Sequence, residues 1–206
     1  MEKPSRSKRI DYFSDREEVT QRKFAQFRTR MLGPMVSPLQ HLGVTANQIT
    51  LAGVCFLIPY AYFFEEAPRI ASLLIWLYVL CDGLDGVYAR ATNTATPAGA
   101  LADVFADQMG MVVTCLLLIH ASLVTPVLGA YYCAIYLVMI ALSVVQNHLE
   151  IPMQTILRSK YPLYGLVGVW AYAGINVFDW MMGFFAITMT VNAAQSFRRI
   201  SGFLGQ

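Results

Sequence analysis

Charge is scarce in this chain. Asp, Glu, Lys and Arg make up 14% of its 206 residues and sum to a formal +2, so the total makes no case for a nucleic-acid partner, and none is expected. Cysteine is sparse too. Cys55, Cys81, Cys115 and Cys133 stand singly in apolar surroundings with no CxxC pair, which removes a cysteine-based redox or metal motif and leaves packing as their role. His41, His120 and His148 are equally isolated, and His120 falls far from the acidic groups described below. There is no internal repeat, no low-complexity tract and no sign of a second globular domain. The basic N-terminus is not followed by an apolar run before about Gln48, nor by a small-residue cleavage site, so signal-peptide processing is not expected.

What the chain has in abundance is apolar sequence, 56% of its residues, gathered into runs close to the length that crosses a bilayer as a helix. The expectation is an all-α polytopic membrane protein. A basic, interfacial N-terminal segment over 1–47 precedes a six-helix transmembrane domain over 48–206. The six spans are read at about 48–64, 69–90, 97–121, 125–147, 161–176 and 178–197. Residues 1–30 hold nine of the fifteen Lys and Arg residues. Between Asp15 and Leu32, Val19, Phe24, Phe27 and Met31 share a helical face while Arg22, Lys23, Arg28 and Arg30 crowd the rest, the pattern of an amphipathic helix lying on anionic lipid. Placing both termini in the cytoplasm collects Arg90, Arg158, Lys160, Arg198 and Arg199 on the inner side and leaves only Arg69 outside, in keeping with the positive-inside rule.

Against this background the run from Asp82 to Asp107, DGLDGVYARATNTATPAGALADVFAD, stands out. Carboxylates at the ends of apolar spans are costly and mark function by default. Asp82 and Asp85 are three apart; Gly99, Asp103 and Asp107 step by four, so each set shares one helical face. The polar residues Thr92, Asn93, Thr94 and Thr96 read as a turn, with Pro97 opening the next helix. Asp85 and Asp103 each lie nine residues from Thr94, and Asp82 and Asp107 twelve and thirteen. An antiparallel hairpin therefore brings all four carboxylates together. Four such groups in a poorly hydrated place call for cations, and hard divalent ions, Mg²⁺ or Mn²⁺, suit an all-oxygen donor set. A pair of them can clamp both sides of a phosphoryl displacement. Gly86, Ala89 and Gly99 lie nearer the turn, leaving room for a bulky group against the backbone.

The arrangement Asp82-x-x-Asp85-Gly86-x-x-Ala89-Arg90, eight residues, Gly99-x-x-x-Asp103-x-x-x-Asp107 resembles the signature of the CDP-alcohol phosphotransferase family. Eight fixed positions at residue frequencies of about 5–8% coincide by chance roughly once in ten million. The resemblance implies an integral membrane enzyme that joins a CDP-linked group to an alcohol and releases CMP. It implies two divalent metals held by Asp82, Asp85, Asp103 and Asp107, with Asp107 as the general base. The nucleotide would lie at Gly86, Ala89, Arg90 and Gly99. The approach to the first span, Asn47 and Thr50 after Thr45, resembles a second family feature, with Ala46 where proline is usual; Thr45 also suits a helix N-cap.

The polar stretch Gln146, Asn147, His148, Glu150, Gln154, Arg158 and Lys160 reads either as a solvated loop or as the acceptor-alcohol pocket, which in the family lies outside the signature. Arg158 and Lys160, with Arg198 and Arg199, suit a phosphorylated acceptor or anionic lipid headgroups. Gln108 stands after Asp107 where choline and ethanolamine transferases of the family carry His, which disfavours those acceptors and leaves glycerol phosphate, inositol, inositol phosphate and serine open. The expected donor is a CDP-linked lipid, CDP-diacylglycerol, and the expected assembly a homodimer. The alternatives are a small CDP-alcohol donor acting on a lipid acceptor, an ion transporter or channel with an intramembrane aspartate cluster, and a family member that has lost catalysis and serves as a scaffold.

Overall fold

The computed structural model describes residues 28–149, 151 and 159–205, and among them every regular element is helical. After a 3₁₀ turn at Gly33–Met35 come α1 (Val36–His41), α2 (Ala46–Glu66), α3 (Pro68–Ala91), α4 (Pro97–His120), α5 (Pro126–His148), α6 (Lys160–Ala173) and α7 (Phe178–Leu204). Proline fixes where three of the long helices begin. Pro68, Pro97 and Pro126 stand in the first turns of α3, α4 and α5, where the missing N–H costs nothing and the ring angle already fits a helix. Thr45 starts α2 with a capping box: its hydroxyl accepts from the Gln48 N–H, and the Gln48 side chain accepts from the Thr45 N–H. Gly174, at φ +70°, ends α6 in the left-handed conformation that glycine adopts without strain.

Helices α2 to α7 lie where the six spans were expected, but only α2, α3, α4 and α5 are both long and apolar enough to cross a membrane. Helix α6 has 14 residues; at about 1.5 Å per residue it falls short of a hydrocarbon core roughly 30 Å thick. Helix α7 has 27 residues, but Asn192, Gln195, Arg198 and Arg199 dilute its apolar content. The expected amphipathic helix from Asp15 lies almost wholly outside the described residues. Only Arg28 to Leu32 are seen, and they are helical.

Helix α3 is the centre of the bundle's site half, packing most extensively on α2 and also against α6. A Cβ on Gly53 of α2 would stand 2.9 Å from the Cys81 Cβ, so glycine is what lets α2 and α3 approach, as small residues do between membrane helices. Helix α2 also packs on α4, where the Tyr60 hydroxyl donates to Thr114 Oγ1 at 3.2 Å. The main core runs through Tyr60, Phe64, Ile75, Met111, Tyr132 and Leu163, with Met182 from α7. Outward-facing Leu51, Ile58, Leu73, Val127 and Ile187 are exposed, an apolar coat suited to lipid. A second, smaller core joins Val36, Ile49, Leu84, Val87 and Tyr88. There the Tyr88 hydroxyl donates to the Val44 carbonyl at 2.5 Å, tying the end of α3 to the segment before α2. At the opposite end of the bundle, the Asp179 carboxylate of α7 accepts from the Thr125 N–H and hydroxyl, each at 2.8 Å, which caps α5 from another helix.

Candidate active site

The turn between α3 and α4 forms at the polar residues that predicted it. Helix α3 ends at Ala91, the Thr94 N–H donates back to the Ala89 carbonyl at 2.9 Å, and Asn93 takes φ +56°. Thr96 then caps α4, its hydroxyl accepting from the Gly99 N–H at 3.0 Å. These bonds set the register of the two helices, and that register brings the aspartates of α3 to those of α4. Asp82 and Asp107 face one shared ammonium, and Asp85 and Asp103 line one pocket.

The four do not form a symmetric cluster. Asp85 and Asp103 line an open pocket of about 560 Å³, counting the part continuous with solvent, together with Gly86, Ala89, Arg90 and Gly99. Asp85 is almost fully buried. Its carboxylate accepts from the Thr50 hydroxyl at 2.5 Å and from the Gly86 N–H at 2.6 Å, which fills acceptor sites that burial would otherwise leave unmet. Asp82 and Asp107 take a different partner. Lys160, the first residue of α6, places its Nζ 3.4 Å from Asp82 Oδ2 and closer still to Asp107 Oδ1, in ion pairs with both. Lys160 is itself buried, with its ammonium 5.0 Å from the centre of the Tyr161 ring.

Small residues shape the pocket. A Cβ on Gly99 would come within 3.2 Å of the Thr96 hydroxyl and 3.5 Å of Asn47 Oδ1, and one on Gly86 within 3.3 Å of Arg90 Nη1. Arg90 therefore folds over Gly86 as part of the wall. Deeper in, Gly110 of α4 faces Tyr78 of α3, where an added Cβ would lie 2.4 Å from the ring. The Tyr78 hydroxyl donates to the Ala106 carbonyl at 2.7 Å and lies 3.3 Å from that of Asp107. The ring thus locks the backbone that carries Asp107 onto α3.

The structure brings together Asp82, Asp85, Asp103, Asp107, Gly86, Ala89, Arg90 and Gly99, and adds Lys160 to them. Arg158 lies outside the described residues, as do Glu150 and Gln154, so the expected acceptor stretch is seen only at its ends; Gln146 is buried and His148 exposed. The four cysteines are all free, Cys115 buried and Cys55 exposed. Asn47 and Thr50, which the sequence singles out at the approach to the first span, make with Ala46 a third wall of the pocket from α2. Two contacts carried no signal in the sequence. Thr50 bonds a carboxylate 35 residues away. Tyr78 reads as one more apolar position of α3 until its hydroxyl finds α4.

The donor set is all carboxylate, the chemistry that hard divalent cations prefer. As the side chains stand, however, no three Asp, Glu, His or Cys residues among those described are grouped to hold a metal ion. The Lys160 ammonium lies against two of the four carboxylates, Asp82 and Asp107.

The family model described as CDP-alcohol phosphatidyltransferase matches residues 43–193, which includes the whole pocket and Lys160. Among curated proteins, an uncharacterized protein of Aquifex aeolicus (strain VF5) is 35% identical over 89 residues, 42% of this chain and 45% of that protein. Choline/ethanolaminephosphotransferase 2 of Arabidopsis thaliana is 35% identical over 81 residues, 34% of this chain and 21% of that one. Archaetidylinositol phosphate synthase of Pyrococcus horikoshii is 31% identical over 72 residues, 34% of this chain and 38% of that one. Each match spans less than half of the relative's length. With four apolar helices long enough to cross a bilayer and a family match over nearly three quarters of its length, the chain is an integral membrane protein and belongs to the CDP-alcohol phosphatidyltransferase family.

Proposed function

We propose that the protein is a phosphatidyltransferase of phospholipid synthesis, transferring the phosphatidyl group of CDP-diacylglycerol to the hydroxyl of a small polar alcohol and releasing CMP. The observation that supports this most is the pocket itself: glycine and alanine surfaces from two helices, one guanidinium, and carboxylates at its floor. The cytidine diphosphate lies against Gly86, Ala89 and Gly99, with Arg90 beside the phosphates, while the acyl chains remain among the apolar helix faces.

Family members are generally divalent-metal dependent, and Asp82, Asp85, Asp103 and Asp107 are the residues that would hold Mg²⁺ or Mn²⁺, two per site. When bound, such ions supply positive charge to the pyrophosphate and to the departing CMP. The chain's own groups do the rest. Thr50 and the Gly86 N–H hold Asp85 in one orientation. Tyr78 fixes the backbone at Asp107, and the Asp107 carboxylate takes the proton of the acceptor hydroxyl as its oxygen attacks the phosphorus that bears diacylglycerol. The bond from that phosphorus to the CMP oxygen breaks, and CMP leaves with the electron pair. Arg90 serves as charge and not as an acid, because a guanidinium keeps its proton in proteins.

Residues 1–47 serve as a basic interfacial segment and 48–206 as the catalytic domain, with both termini and the site facing the cytoplasm. The working unit is a homodimer. Arg158 and Lys160 belong to the acceptor side, where they suit a phosphorylated alcohol such as glycerol phosphate or inositol phosphate. A second reading, a small CDP-alcohol donor with a lipid acceptor, is favoured by the likeness to the Arabidopsis protein. The deciding experiment follows CMP release by the purified protein with Mg²⁺ or Mn²⁺. CDP-diacylglycerol is offered with a panel of alcohols, and CDP-choline or CDP-ethanolamine with diacylglycerol. Release only in the second set replaces the first reading with the second, and release in neither removes both.

A further inference from the structure

The proposed transfer reaction does not require Lys160 to pair with two of the four aspartates. We infer that Lys160 is a tethered counter-ion that a divalent cation must displace from Asp82 and Asp107, so that metal loading and release of the ammonium are one event. The inference rests on the reading of these aspartates as metal ligands.

The geometry that carries it is local. Asp82 and Asp107 come from different helices, face the same Lys160 ammonium, and have side chains only 11% and 25% exposed. Two carboxylates so placed repel in a medium that screens them poorly. Asp85 is held by a hydroxyl and a backbone N–H; Asp82 and Asp107 share an ammonium from a third helix. A divalent cation held by Asp82 and Asp107 would draw on the same two carboxylates that now face Lys160 Nζ. Both cations cannot occupy that space. The lysine stem is four flexible carbons long and its ammonium has three rotatable donors, so Nζ can swing away while the start of α6 stays in place. Once released, it stands at the edge of the site beside Asp107, placed to meet an oxygen of the incoming acceptor.

The test reads metal binding without turnover. Mn²⁺ binding to the full-length protein in nanodiscs is measured with no substrate present, by titration calorimetry or by the paramagnetic resonance of free Mn²⁺. Lys160→Met should bind Mn²⁺ roughly tenfold or more tightly than the parent, because the tethered competitor is gone. Mn²⁺ should also raise its melting temperature more than it raises the parent's. Lys160→Arg, which keeps the charge, should stay near the parent. Equal or weaker binding by Lys160→Met overturns the inference. If that variant does not fold, the parent decides: labelling of Lys160 by an amine-reactive reagent, read by mass spectrometry, should run several-fold faster with Mn²⁺ than without, and equal rates overturn it. Binding of Mn²⁺ by the parent with an unchanged affinity in Lys160→Met refutes the tether alone. A parent that takes up no Mn²⁺, like Asp107→Asn, refutes the metal reading and the tether with it.

Discussion

Asp85 and Asp103 line the open pocket, whereas Asp82 and Asp107, farther from the α3–α4 turn, are gripped by a lysine from α6. Asp85 of the first pair is kept in place by neutral donors, the Thr50 hydroxyl and the Gly86 N–H. The second pair is kept by a full positive charge in direct contact. A carboxylate held by hydroxyl and N–H donors stays oriented without being neutralised, so it remains available to whatever enters the pocket. One paired with an ammonium has half of its local charge problem already solved, and anything that binds it must compete. The two pairs sit on the same two helices and differ in what the third helix brings.

That contrast can be broken most severely at Asp107. Asp107→Asn keeps the shape and removes the proton acceptor, and CMP release should fall by roughly a thousandfold or more while gel filtration and helical circular dichroism stay as in the parent. Turnover within a few-fold of the parent would take the base role from Asp107. Next comes the contact that holds the Asp107 backbone. Gly110→Ala drives a methyl into the Tyr78 ring, a misfit worth about 1–3 kcal/mol. It should lower the melting temperature and activity together, whereas Tyr78→Phe should spare most of the stability. A Gly110→Ala protein as stable as the parent would show that α3 and α4 are less tightly joined there than the structure has them.

On the pocket side the effect is smaller. Thr50→Val removes one hydrogen bond from a buried carboxylate, costing about 1–1.5 kcal/mol, so kcat/KM should drop roughly tenfold. Thr50→Ser should recover most of it. Equal losses in both variants would mean that the methyl group, and not the hydroxyl, matters. Smallest of all is the far end of the bundle. Asp179→Ala deletes the carboxylate that caps α5 and should cost about 1 kcal/mol of stability with no change in activity per folded molecule, read by thermal denaturation beside the CMP assay. A loss of turnover there would join the two ends of the bundle in a way that the helix contacts do not suggest.

Much of the site was legible because it is built on periodicity. Steps of three and four put Asp82 with Asp85 and Gly99 with Asp103 and Asp107, and Thr92 to Pro97 announced the turn that folds one set onto the other. Helix starts at Pro97 and at Thr45 were readable for the same reason, since capping chemistry acts within four residues. The bundle's length scale was less so. Helix α6, read as a full span over 161–176, is a short helix of 14 residues ending at Gly174, because apolar composition does not say where a glycine will turn the chain. Lys160 was singled out as a cation for the acceptor, and its grip on Asp82 and Asp107 went unseen. Nothing in a linear spacing of 53 residues to Asp107 distinguishes a lysine facing lipid headgroups from one turned inward.

By itself the sequence determined that this chain is helical, apolar enough for a bilayer, and armed with four carboxylates on two adjacent helices, since each of these follows from residue type and repeat distance. Only the tertiary structure decided how those carboxylates are divided. Which carboxylate meets Thr50 and which pair meets Lys160 depends on how α2 and α6 pack against α3, and packing between membrane helices is set by the fit of small and large side chains across their whole length.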